Sequence, residues 1–237
     1  MASRSAVLSI RVVSDARGAQ QGLDATASKV EKVEQSLDRM SGPAAAAMAA
    51  LGLVGKAAID SASDVEQSTG GVEAVFKAQA DAIKAYADGA AQNLGLAKSE
   101  YQDLATVIGS QLKNAGTPMD ELAGSTDDLI SMGADLAAQF GGSTSDAVAA
   151  LSSLLKGERD PIEAYGVSIN QAAIDAQLAA MGMDELTGAA KTQAEQQATL
   201  ALLTQQTADA TGAFARETDT AAGAEARAAA EMENTRA

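Results

Sequence analysis

Histidine, cysteine and tryptophan are all absent from the 237-residue chain. Without histidine there is no ordinary general base at neutral pH, no imidazole metal ligand and no Ser-His-Asp arrangement. Without cysteine there is no disulfide framework and no thiolate metal site, a pattern that fits a cytosolic origin. Aromatic residues make up only 3% of the chain and there are three prolines, so although 46% of residues are apolar, most of these are alanine. A core built from them is thin. It relies on close helix contacts over Ala and Gly, with Leu, Val, Ile and Met as anchors, and the length suits one large domain or two small ones. Basic residues are scarce as well: 17 Lys and Arg face 32 Asp and Glu, a net charge of −15. That balance repels nucleic-acid phosphates and anionic membranes, and no basic cluster offsets it, so no sequence-specific nucleic-acid binding is expected. The apolar run after Arg4 is broken by Ser9 and Arg11, too early for a signal-peptide core, and synthesis and initial residence in the cytoplasm are expected.

What is present is mainly α-helical patterning. Residues 1–16 form a first segment in which Leu8, Ile10 and Val12 alternate with Val7, Ser9, Arg11 and Val13, as in a short half-buried β-strand. Residues 17–61 carry a coiled-coil-like helix. Leu23, Val30, Val33, Leu37 and Met40 follow heptad spacing, which continues through Leu51 and Val54 beyond a break at Ser41-Gly42-Pro43. These seven apolar residues are the candidate seam for self-association, and packing within the chain's own domain is the plainer alternative. Ala44–Ile59 is nearly uncharged but shorter than the roughly 20 residues that span a bilayer, and it contains Lys56.

Residues 62–186 read as a multi-helix bundle. Val65, Val72, Phe76, Ile83 and Tyr86 recur at helical spacing, with a kink expected at Gly70-Gly71. Ser99 is expected to cap a helix facing inward through Tyr101, Leu104, Ile108 and Leu112 and ending near Gly116. Thr117-Pro118 opens the next, lined later by Leu129, Met132, Leu136 and Phe140 and stopped by Gly141-Gly142. Ser143–Ser145 then caps a helix bearing Val148, Leu151, Leu154 and Leu155. After it comes the least generic stretch of the chain, Gly157-Glu158-Arg159-Asp160-Pro161-Ile162-Glu163-Ala164-Tyr165-Gly166-Val167-Ser168-Ile169. Gly157 suits the position past a helix end, Asp160 and Pro161 form a helix start, and Gly166 stops that short turn. The alternation at 167–169 suggests a brief extended segment before Asn170 caps a helix with Ile174, Leu178 and Met181 inward, ending at Gly182. Residues 187–237 read as a long helical segment, with Ala198, Leu200, Leu202 and Leu203 as its apolar cluster, expected to continue in the natural protein.

Catalytic and metal patterns fail on inspection. Glu158, Asp160 and Glu163 could in principle form a carboxylate pair for glycoside hydrolysis, but they sit beside Arg159 without an aromatic platform, and capping and surface pairing explain them better. Gly55-Lys56 lacks the preceding glycine and following hydroxyl of a phosphate loop. Asp127, Asp128 and Asp135 lack calcium-loop spacing and read as solvated helix faces. No enzyme, cofactor or metal is expected.

The 157–169 stretch resembles the signature of the tail tape measure proteins of long-tailed bacteriophages, the siphoviruses, especially those of actinobacterial hosts. Residues 62–68, 109–114, 133–136, 197–203 and 214–217 resemble the same family in the same order. The resemblance covers about Ala62–Ala222 and implies the N-terminal portion of a structural virion protein. Such a protein templates tail-tube assembly, sets tail length and occupies the tube lumen until DNA ejection. Its implied partners are the tail tube protein, tail assembly chaperones and tail tip or baseplate proteins, with self-association and host membrane contact during ejection. A helix rises about 1.5 Å per residue, so 237 residues would span at most about 355 Å. The alternative expectation is a membrane-active helical protein that inserts Ala44–Ile59.

Overall fold

The computed structural model describes residues 66–217 and 220–236, and this region is mainly helical, with no strand among the described residues. The N-terminal strand, the seam residues Leu23, Val30, Val33, Leu37, Met40, Leu51 and Val54, and the apolar Ala44–Ile59 run lie outside it. Helix α1 covers residues 66–76. A 3-10 turn at Lys77–Gln79 joins it to α2 (Ala80–Leu94), followed by α3 (Lys98–Asn114), α4 (Leu122–Phe140), α5 (Thr144–Leu155) and the single-turn α6 (Asp160–Glu163). Helices α7 (Gln171–Ala180), α8 (Gly188–Gln206), the short α9 (Ala213–Arg216) and α10 (Ala221–Arg236) complete the order.

Helix α4 is the hub, packed against α2, α3, α5 and α9. Its buried residues, from Leu122 through Thr126, Ile130, Gly133 and Ala134 to Ala137, point to more than one side, as a helix surrounded by neighbours requires. Small residues set the spacing. A Cβ added at Gly133 would lie 2.4 Å from Val148 Cγ2, and one at Gly109 would lie 2.3 Å from Phe76 Cζ, so α4 meets α5, and α3 meets α1, closer than alanine permits. The core predicted along α1 to α5 is largely observed: Val72, Phe76, Ile83, Tyr101, Ile108, Leu112, Leu136 and Leu151 are all buried.

Four local expectations change. Helix α1 runs through Gly70-Gly71 unbroken, and the break falls at Lys77, whose φ of 51° is left-handed. Gly71 serves packing instead, since a Cβ there would touch Thr106 Oγ1 at 3.0 Å. Ser99 lies inside α3, because the chain is still extended at Ala97 and turns helical from Lys98. Tyr86 is exposed, and so is Phe140, because Gly133, Ala134 and Ala137 fill the core side of the last turns of α4. The segment after 187 is helical but interrupted by turns at 207–212.

The helix ends divide into two kinds. Some are satisfied locally: Ser143 Oγ accepts from Asp146 N at 3.1 Å and Asn170 Oδ1 accepts from Ala173 N at 2.9 Å. Others are satisfied from a distant part of the chain. Gln79 Oε1 accepts from Ala123 N and its Nε2 donates to Asp120 O, capping α4 from outside. Asn234 Oδ1 accepts from Lys98 N at 2.7 Å, and Thr144 Oγ1 donates to Leu94 O at 2.9 Å. The corner between α2 and α3 is thus closed by α10 on one side and α5 on the other.

Candidate functional site

The 157–169 stretch begins at a helix end built by backbone bonds. Gly157 N donates to Leu154 O and Glu158 N to Ser153 O, both at 2.9 Å, the paired bonds of a Schellman motif with Gly157 at φ 94°. Asp160 and Pro161 open α6, but Asp160 is its first residue and makes no side-chain cap. Gly166, at φ 72°, then turns the chain beneath Phe140; a Cβ there would lie 2.8 Å from Phe140 Cζ.

Side chains sort cleanly by chemistry. Ile162, Tyr165, Val167 and Ile169 enter the core, whereas Glu158, Asp160 and Glu163 face solvent. Arg159 Nη2 donates to Gln171 Oε1 at 2.9 Å, tying the turn to α7. Among the described residues the 167–169 segment pairs with no strand. Instead Gln206 at the end of α8 reproduces the two bonds that a neighbouring strand would make: its Oε1 accepts from Ser168 N at 2.8 Å and its Nε2 donates to Ser168 O at 3.0 Å. Gly157, Asp160, Pro161 and Gly166 therefore lie in one connection between α5 and α7, anchored by four buried side chains and held by a glutamine.

Two carboxylates expected on solvated faces have structural partners. Asp135, on α4, accepts from Gly212 N at 2.7 Å and Phe214 N at 3.0 Å, holding the entry to α9. Sequence reasoning had no signal for it, since donor and acceptor are 77 residues apart. Asp127 Oδ1 accepts from the hydroxyl of buried Tyr101 at 2.6 Å. Burial pushes the Tyr101 phenol up, reinforced by that bond, so Tyr101 stays protonated. Burial also pushes the Asp127 carboxyl up, while the Tyr101 bond pulls it down and the charge of Asp128 adds to the rise. Among the described residues, no group of three or more His, Cys, Asp or Glu could hold a metal ion.

The raised Asp127 value sets a pH dependence opposite to ordinary acid denaturation. Between the unfolded and folded values the folded state holds the proton more tightly, so this group's contribution to stability grows as pH falls through the folded value. Asp127→Asn keeps an acceptor for Tyr101 and removes the charge. It is expected to leave stability at pH 7 unchanged or raise it by less than about 1 kcal/mol, since the site is half-exposed and screened. Asp127→Ala leaves the phenol without its acceptor and is expected to cost about 1–3 kcal/mol. Urea midpoints at pH 7 and pH 5 check both; a loss of stability in the Asn variant at pH 7 would contradict the assignment.

No family model, curated protein or solved structure matches the chain.

Proposed function

We propose that the chain is the N-terminal portion of a tail tape measure protein of a long-tailed phage, a structural and non-enzymatic component that templates the tail tube, sets its length and fills its lumen. The observation supporting this reading is that stretches carrying the resemblance, distant in sequence, are joined in one helical block. Asp135, in 133–136, holds the backbone at Phe214, and Gln206, just past 197–203, clamps Ser168 in the 157–169 turn. Glu158 and Asp160 border an open surface groove and Glu163 faces solvent, which suits a wedge between helices better than a catalytic centre.

In this reading the partners are the tube subunit, assembly chaperones and tip or baseplate proteins, with the Leu23–Val54 seam joining copies of the chain. No cofactor is needed. The test is genetic: a stop codon early in the gene is expected to give intact heads without tails in electron micrographs, and tails of normal length would overturn the proposal. The membrane-active alternative rests on Ala44–Ile59 alone. Among the described residues no helix is long and apolar enough to cross a membrane. Flotation of the chain with liposomes separates the two.

A further inference from the structure

The segment between α8 and α9 is patterned for a continuous helix, although it is bent. Its buried residues, Leu203, Thr207, Ala210, Ala213 and Phe214, recur three or four apart, the spacing of a single helical stripe that crosses the break without a phase shift. Between Gly188 and Gly223 the only glycine is Gly212, and no proline occurs after Pro161. What opposes continuity is local: Gly212 stands at φ 76°, and Asp135 takes the amides of Gly212 and Phe214, the first of which lies in the turn itself. An open cleft of about 200 Å³ borders the bend, lined by Met132, Asp135, Thr207 and Ala210.

We propose that Asp135 is a latch that holds residues 207–214 out of the continuous helix for which their sequence is patterned, so that release of its carboxylate lets α8 extend through the bend into α9. The proposal does not depend on the tail reading. In the bent state the Asp135 oxygens supply partners for the Gly212 and Phe214 amides; in the straight state carbonyls one turn earlier, at Ala208 and Ala210, take over. The one left-handed glycine is the main backbone obstacle, and an alanine there favours the helix by about 1 kcal/mol.

Amide hydrogen exchange in the full 237-residue chain tests it, comparing wild type with Asp135→Ala and Gly212→Ala. If Asp135 is a latch, the Gly212 and Phe214 amides keep their protection in Asp135→Ala, and amides 208–212 exchange about tenfold more slowly in Gly212→Ala. If Asp135 is only a static cap, both amides in Asp135→Ala exchange at least about tenfold faster, and the latch is refuted. Should Asp135→Ala fail to fold, Gly212→Ala decides alone: slower exchange across 208–212 supports the latch, and unchanged or faster exchange overturns it. Either result leaves the tail-assembly experiment untouched.

Discussion

Ile162→Ala is expected to lower the unfolding free energy by about 2–5 kcal/mol, while Glu158→Gln and Glu163→Gln leave it within about 0.5 kcal/mol. Ile162 is 0% exposed and belongs to a helix of only four residues, too short to persist by its own backbone bonds. The turn therefore depends on what its side chains bury. Removing the isoleucine leaves a cavity where α6 meets α5, and Gly157 on one side and Gly166 on the other fix the backbone in left-handed conformations that limit collapse into the space. The two glutamates face water and have no comparable partner to lose. Urea titrations of the three variants, followed by far-UV circular dichroism, measure the contrast. A mild Ile162→Ala, or a costly glutamate variant, would show that the charged face rather than the apolar wedge holds the turn.

Gly133→Ala should also be destabilising, by about 1–3 kcal/mol, against a general helix preference that favours alanine over glycine by about 1 kcal/mol. The new methyl would sit 2.4 Å from Val148 Cγ2 and 3.2 Å from Val148 N. Valine in a helix has one strongly preferred rotamer, so it cannot swing aside, and the backbone nitrogen behind it prevents a small sideways shift. The helices must separate, and the α4–α5 contact loosens along its length. Val148→Ala removes the obstructing methyl groups, so the double variant should recover part of the Gly133→Ala loss. A double-mutant cycle with a favourable coupling of at least about 0.5 kcal/mol is the expected result; a stabilising Gly133→Ala would mean the two helices are not in such close contact.

Features determined within a few residues were legible in the sequence. Ser143, Asn170 and Gly157 act where expected, since a cap and the amide it serves are neighbours in the chain. Partners supplied from elsewhere were not: Thr144 and Leu94 are 50 residues apart, and Gln206 and Ser168 are 38. Glutamine carries no positional signal of its own, so neither Gln79, in the turn before α2, nor Gln206, at the end of a helix rich in polar residues, stood out. The dense contacts of α4 were hidden for another reason. Gly133, Ala134 and Ala137 bury a helix face as completely as leucine does, but they produce little contrast in hydrophobic pattern. In the 157–169 turn, the helix stop and start could be read from the residue types, but the placement of Ile162 and Tyr165 in the core could not, because irregular backbone has no period from which to predict a face.

The bond that Lys98 N donates to Asn234 Oδ1 spans 136 residues and has a bearing on how the chain matures. During synthesis at 5–20 residues per second, the first amide of α3 waits roughly 7–27 s for its acceptor. Until then the α2–α3 corner lacks one of its two braces, and the nascent chain holds it in a half-fastened form.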